Sequence, residues 1–468
     1  MKLFNSLSKQ KGDFQPIEEG KVGMYTCGPT VYGSPHIGNL RAYIFSDTLR
    51  RTLEFLGYEV NQVVNITDVG HLTSDSDAGE DKIEKGARAA NKTVWEVARG
   101  YEDEFRAALK TLNIKLPTQL PRATEHMPEQ VAMIEKLDKK GFVYQTSDGI
   151  YFDTAKFPEY GKLGGQKLDE KAAGARVGVN DEKRHPADFA LWKFCAGDNA
   201  DHIMRWANPL GIDGEGFPGW HIECSAMSAK YLGKHFDIHT GGIDHIPVHH
   251  ENEIAQSEAA HGQFVNYWLH NEFLTIEGGK MSKSLDNLFT LADIAAKGID
   301  PLAFRLLCLG THYRQKLNFS WEALEGAQNS LNKLRSAYQQ AKAAEEKLAT
   351  LGMKPEIDQG TIKKAQEAIE DDLNTPKVIA ALHETGKLAP QFFRKTLQEI
   401  DKILGLQLDK PVEEEVIELT PEQEQLLKER ETARAEKNWV RADEIRDAFA
   451  AAGLEIEDGA GGQTVKRR

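Results

Sequence analysis

Cysteine is scarce in this chain. Four occur in 468 residues, Cys27, Cys195, Cys224 and Cys308, far apart and with no CxxC pair among them. That pattern excludes a disulfide framework and leaves reduced thiols or scattered metal ligands. No apolar run reaches the roughly 18 residues that a membrane span needs, so none is expected. The opening stretch MKLFNSLSKQ lacks the apolar core and small-residue cleavage site of a signal peptide, and the expectation is a cytoplasmic protein. Positive charge is outweighed, with 58 Lys and Arg against 72 Asp and Glu for a formal net charge of -14. An all-round basic coat is therefore excluded, whereas a local basic surface for nucleic acid is not. No repeat at a fixed period is evident, which sets aside a repeat array.

What is present is length enough for several domains. Lys21 to Thr26 is a short strand candidate. Ile37, Leu40, Ile44, Phe45, Leu49, Leu53 and Leu56 recur at a helical period, with Gly57 as the stop. Tyr58 to Thr67 alternates and is rich in valine, which predicts a strand. Strand, helix, strand opens a doubly wound parallel α/β sheet, whose ligands sit beyond the carboxyl ends of the strands. Cys27 and Thr67 fall at those ends. This first half of the sheet spans 1–121, and charged, glycine-containing text over 122–206 reads as an insertion. The sheet resumes over 207–262, with a helix opening at or after Cys224 and a buried strand in HFDIHTGGIDH. Residues 263–319 follow, then a bundle of long charged helices over 320–412. The last small unit, 413–468, sets Trp439, Ala442, Ile445 and Phe449 on one helix face.

Two short stretches carry chemistry together that neither carries alone. In PHIGN, Pro35 to Asn39, a histidine enters a helix after a glycine-containing turn, so that ring and helix amides can face a phosphate while Gly38 leaves room for a planar group. In GGKMSKSLDN, Gly278 to Asn287, Lys280 and Lys283 flank Met281 and Ser282, with Ser284 next, in a cationic loop suited to a triphosphate. A third constellation is Cys27, Cys224, His249 and Glu253. The last two are i and i+4, so one helix face presents both, and two thiolates, an imidazole and a carboxylate suit Zn2+. Small buried thiols and a polar helix start account for the same residues by packing alone. An HExxH site is excluded, since His250 and Glu251 are followed at the required place by Ile254.

HIGN and KMSKS resemble the HIGH and KMSKS signatures of class I aminoacyl-tRNA synthetases. Asn39 replaces the family's second histidine, and its amide can still donate to a phosphate or ribose oxygen. Within that class, CGPTVY, NITD, ARV, DFALWK, GWHIECSAM, FDIH, HHENEIAQSEAA and KMSKS are similar, in order, to the cysteinyl-tRNA synthetase pattern. The resemblance implies a Rossmann-type catalytic domain interrupted by a connective insertion, a stem-contact region over 263–319, and a C-terminal anticodon-binding unit. It implies that Cys27, Cys224, His249 and Glu253 bind Zn2+, and that Thr67, Trp220 and His239 shape a cysteine pocket. It further implies that His36, Gly38 and Asn39 with Lys280, Met281, Ser282, Lys283 and Ser284 bind ATP with Mg2+, His36, Asn39, Lys280 and Lys283 being catalytic. The implied partners are L-cysteine, ATP and tRNA-Cys, with the 2′-hydroxyl as first acceptor, and the implied state is a monomer. A zinc ion gives such a pocket its reason, because shape alone separates cysteine from serine by only about a hundredfold.

Two stretches depart from the family pattern. DVGHLTSDSDAGEDKI, from Asp68, is longer than the family's short D-x-D-D-K link, with His71 read as a loop histidine, and NPLGIDGEGFPGW replaces its SPWG. In the tail, Arg434, Lys437 and Arg441 surround Trp439 and the chain ends TVKRR, a set that suits an anticodon loop. For Trp439 itself packing is expected, with the arginines paired to Glu436 and Asp443. Two rivals remain: a mycothiol-type ligase that joins cysteine to an amino-sugar, and a non-catalytic tRNA-binding paralogue. The first lacks a full anticodon-binding tail, and the second would be expected to lose the loop lysines or the implied zinc ligands.

Overall fold

The computed structural model describes residues 1–70, 72–74, 78–165, 181–276, 279, 288–350, 352–412, 419–459 and 462–467. His71 and the loop Lys280–Ser284 thus lie outside the described residues. The chain separates into two compact units, Met1–Lys410 and Pro411–Arg468.

Strand β1 (Lys21–Thr26) is buried over its last three residues, as a central strand covered on both faces should be. Helix α1 (Ile37–Phe55) carries the chain to β2 (Glu59–Val64), which pairs with β1 in parallel from Lys21 opposite Glu59 to Thr26 opposite Val64. Much later come α2 (Trp220–Leu232), β3 (Phe236–Gly242), α3 (His249–His261) and β4 (Val265–Asn271). Spatially the order is β4, β3, β1, β2, with β3 parallel to both of its neighbours. The winding therefore reverses between β1 and β3, and the crevice at their carboxyl ends is where such sheets hold ligands. His239 sits opposite Tyr25 across that boundary, and the Cys27 amide donates to the Thr240 carbonyl at 3.2 Å.

Helix α2 starts at Trp220, a turn earlier than expected from the sequence. Gly219 fixes the start: its amide donates to Leu191 O at 3.0 Å, and a Cβ there would stand 2.1 Å from Ala190 O. Only glycine lets the helix begin against that strand. Cys224 is thereby carried into the second turn of α2 instead of its mouth.

Between the sheet halves, helix Met127–Lys139 packs on α2 and α3. An antiparallel sheet follows, ordered Trp206–Ala207, Glu215–Pro218, Phe189–Phe194, Gly149–Phe152, Val143–Gln145. Its strands run beyond residue 206 to Pro218, because the chain after Trp206 turns back to pair twice more before α2. The long link after β2 is anchored at Asp68, which accepts from the Thr124 amide at 2.9 Å and hydroxyl at 2.6 Å. It then forms a hairpin, Leu72–Ser74 with Ala78–Asp81, and Asp81 caps helix Lys82–Ala90.

The bundle helices Trp321–Thr350, Gln359–Glu370, Thr375–Glu384 and Pro390–Leu404 complete the first unit. A buried ion cluster ties them to the back of α1. Arg305 Nη2 lies 2.5 Å from Asp47 Oδ2, Arg51 Nε lies 2.7 Å from the same oxygen, and Arg305 Nε donates to Leu404 O at 2.6 Å.

The second unit packs helices Pro421–Ala435 and Trp439–Ala451 with a hairpin, Leu454–Gly459 against Gly462–Arg467. Ala442, Ile445 and Phe449 are buried, but Trp439 is 56% exposed, which corrects the packing expectation. Trp439 is the first helical residue, and a helical side chain leans toward its N-terminus, here past the end of the core. The arginine partners differ too: Arg434 pairs with Asp458, and Arg441 with Glu429 and Glu444.

Candidate active site

The start of α1 is built by His36 and Asn39 together. His36 is the N-cap; its Nδ1 accepts from the Asn39 amide, and Asn39 Oδ1 accepts from the His36 amide, both at 3.3 Å. This is a reciprocal capping box, which satisfies two helix-end donors. Asparagine serves the cap through Oδ1, and Gly38 lies within the first turn. The Ile37 amide donates to Phe289 O at 2.9 Å, and His36 bridges Thr290 in antiparallel fashion. The residues just after the lysine loop thus run beside the helix start.

At the carboxyl end of β1 lies a buried cluster of titratable side chains. Cys27, Cys224, His249 and Glu253 each offer a ligand atom within 4.8 Å of the others, and all four are buried. The strand end supplies Cys27, the second turn of α2 supplies Cys224, and the first turns of α3 supply His249 and Glu253 one above the other. His249 Nε2 stands 3.0 Å from Glu253 Oε1, and Cys27 Sγ 3.6 Å from the same oxygen.

The electrostatics of this cluster favour a cation at its centre. Burial pushes the Cys27 thiol well up, whereas the neighbouring Cys27 sulfur and His249 draw Cys224 down to about 6. Burial alone would lower His249, yet Glu253 and Cys224 raise it to about 10. Burial would likewise raise Glu253, and His239 with His249 hold it well below the ordinary carboxylate range. Two sulfurs, an imidazole and a carboxylate in one buried ring are donor types that suit Zn2+, which would take the place of the proton that His249 otherwise holds.

The predicted pocket residues gather around this cluster. Trp220 stacks on His249 with centroids 4.3 Å apart, His239 Nε2 lies 3.0 Å from Glu253 Oε2, and Thr67 Oγ1 donates to Glu223 Oε2 at 2.9 Å. Sequence reasoning missed several neighbours. His250 approaches Cys27 Sγ to 3.1 Å through Nε2, and with Cys27, His239 and Glu253 it makes a second four-donor set sharing two members with the first. His250 bonds in turn to His270 at 2.7 Å, and His221 Nδ1 meets His249 Nδ1 at 2.9 Å. The i, i+3 spacing of His250 and Glu253 was a signal for the first; His221 and Glu223 stand inside the quoted stretch GWHIECSAM, where no spacing assigned either a role.

A model of the class I (C) tRNA synthetase catalytic domain matches residues 13–329, and one of the cysteinyl-tRNA ligase anticodon-binding domain matches 417–465. A cysteine–tRNA ligase of Burkholderia lata is 48% identical over 99% of this chain and 96% of its own length. Those of Treponema denticola and Thermus thermophilus are 44% and 43% identical over 100% and 97% of this chain, and 99% and 97% of theirs. Among solved structures, the methionyl-tRNA synthetase of Mycobacterium tuberculosis with methionyl-adenylate superposes with a TM-score of 0.59 at 16% identity, over 82% of this chain and 90% of that one. That likeness carries the fold alone: a doubly wound catalytic domain with a helical continuation. With near-complete coverage by relatives above two-fifths identity, the chain belongs to the cysteine–tRNA ligase family of class I aminoacyl-tRNA synthetases.

Proposed function

We propose that this enzyme activates L-cysteine with ATP to cysteinyl-adenylate and transfers it to the 3′-terminal ribose of tRNA-Cys, and that Cys27, Cys224, His249 and Glu253 hold one Zn2+. The buried two-sulfur, imidazole and carboxylate cluster at the switch point, one turn of chain from the capped start of α1, carries this reading. Bound there, Zn2+ would favour a thiolate over a hydroxyl and lower the pKa of the substrate thiol.

The protein's own groups do the rest by position and charge. Trp220, stacked on His249, and His239, bonded to Glu253, hold the ligands in place and wall the cysteine pocket with Thr67. The first-turn amides of α1 and the HIGN side chains face the triphosphate, with Mg2+ carried by ATP. Lys280 and Lys283, with Met281, Ser282 and Ser284, close over the departing pyrophosphate. The substrate carboxylate attacks the α-phosphorus in line and pyrophosphate leaves; the ribose hydroxyl then attacks the activated carbonyl and AMP leaves. No protein nucleophile is needed, so Cys27 is a ligand and not a nucleophile. The second unit supplies the anticodon contact, and the working form is a cytoplasmic monomer. No helix among the described residues is long and apolar enough to cross a membrane.

The test is zinc analysis of the purified protein, cysteine-dependent ATP–pyrophosphate exchange, and charging of a tRNA-Cys transcript beside an amino-sugar acceptor. Labelled tRNA supports the reading. Labelled amino-sugar alone would leave activation right and the acceptor wrong, and protein free of zinc with full preference for cysteine over serine would remove the metal.

A further inference from the structure

The two cysteines of the cluster come from segments far apart in sequence, and a chain of hydrogen bonds joins the residue after one to the residue before the other. Gly28 N donates to Asn65 Oδ1 at 2.7 Å, Asn65 Nδ2 donates to Thr67 Oγ1 at 3.0 Å, and Thr67 Oγ1 meets Glu223 Oε2 at 2.9 Å. Asn65 is 1% exposed, Thr67 5% and Glu223 0%. The Gly28 amide can only donate, so the Asn65 amide has one possible orientation, with its NH2 group toward Thr67. Asn65 also approaches the backbone so closely that a Cβ on Gly28 would stand 1.5 Å from Asn65 O. Thr67 is itself held by its main chain, its amide donating to Pro29 O at 3.0 Å and its carbonyl accepting from Val31 at 3.1 Å.

We infer that Asn65 and Glu223 are positioning residues: with Thr67 as the central link, they form a strap that sets the separation of Cys27 and Cys224 and the placement of Thr67 in the cysteine pocket. The inference rests on the zinc and cysteine reading above and goes beyond it. Neither residue is a ligand, and both act through others. Buried polar links of this kind hold metal ligands in register, and losing one typically weakens metal binding about 10- to 100-fold.

The strap is tested with Asn65→Asp, Thr67→Val, Thr67→Ser and the double variant Asn65→Asp/Thr67→Val, each purified as the full-length zinc-loaded protein. Asn65→Asp is isosteric and keeps the acceptor for Gly28; as a carboxylate it loses the donor to Thr67 and adds a buried negative charge, so Thr67→Val, which cuts the same link without a charge, is read beside it. Zinc transfer to a coloured chelator gives a readout independent of turnover, and ATP–pyrophosphate exchange separates KM for cysteine from kcat. The expected result is zinc loss about tenfold faster for Asn65→Asp and Thr67→Val, with KM for cysteine raised and kcat less affected. The double variant should be no worse than the poorer single one, since both cut the same link, and Thr67→Ser should recover most of the loss. Additive effects, or wild-type zinc retention and KM in both single variants, would overturn the strap. A wild-type protein holding no zinc would instead overturn the metal reading on which it rests. Circular dichroism of Asn65→Asp separates misfolding from mispositioning: a folded variant with fast zinc loss supports the strap. If Asn65→Asp is unfolded, Thr67→Val against Thr67→Ser decides, and equal zinc loss in those two would overturn it.

Discussion

The Ile37 amide at the first turn of α1 donates to the Phe289 carbonyl at 2.9 Å, joining the start of that helix to the chain that follows the lysine loop. Helix start and loop exit therefore share one hydrogen bond, and a change in the capping box is felt on both sides. Asn39→Ala removes one half of that box and costs about 1 kcal/mol of helix stability. If Asn39 also donates to ATP, KM for ATP rises by about tenfold or more in ATP–pyrophosphate exchange. Asn39→His, which installs the family's usual residue, should retain more activity than Asn39→Ala. Equal losses in the two would assign Asn39 to the cap alone.

Removal of the metal has a directional outcome. A chelator that strips Zn2+ should raise KM for cysteine, and the preference for cysteine over serine should fall toward the roughly hundredfold that shape alone supplies. Cys224→Ser should do the same without chelator. Cys195, only partly buried and outside both donor sets, is the control: Cys195→Ser should keep the zinc content of the parent protein. Metal analysis with serine-dependent exchange checks both.

How much of this was legible beforehand varies with the range of the forces involved. The β1, α1, β2 opening could be read because a buried strand and an amphipathic helix write their own periods, and Gly57 writes the stop. His249 and Glu253 could be paired because helix geometry fixes i, i+4 neighbours. The start of α2 was missed by one turn, since the deciding contact is Gly219 against Ala190, roughly thirty residues away in the chain. Glu223 and Asn65 stand in the quoted stretches GWHIECSAM and NITD, but their role was not legible for the same reason: their partners are Thr67 and Gly28, and no spacing rule joins them. Trp439 was misplaced because its spacing to Ala442 is helical while the core ends before it.

Exposed Trp439 yields a prediction for the acceptor. The residue is 56% exposed, Val440 beside it 73%, and the Arg434 guanidinium carbon lies 5.9 Å from the ring centroid. Stacking of an unpaired base on such a ring is worth about 1–3 kcal/mol. Trp439→Ala should therefore raise KM for tRNA-Cys by about tenfold in aminoacylation. ATP–pyrophosphate exchange, which needs no tRNA, should stay at the parent level, and thermal stability should change by no more than about 0.5 kcal/mol. A fall in exchange would mean that the ring matters to the catalytic unit and not to tRNA.

The ion cluster behind α1 makes the fold sensitive to acid in a stated direction. Burial alone would raise the Asp47 carboxyl, but Arg305 and Arg51 hold it below its usual 3.8. A carboxyl whose folded pKa is depressed contributes stability that is fully present above its unfolded value and lost as pH falls through the folded one. Unfolding monitored at descending pH should accordingly steepen below about pH 4. Asp47→Asn leaves Arg305 buried beside a neutral amide and should cost about 3–5 kcal/mol at neutral pH. The variant should also lose part of that acid dependence, because the titrating group is gone. An unchanged melting temperature at pH 7 would show that the carbonyls of Leu112 and Leu404, which also accept from Arg305, suffice to hold the bundle to α1.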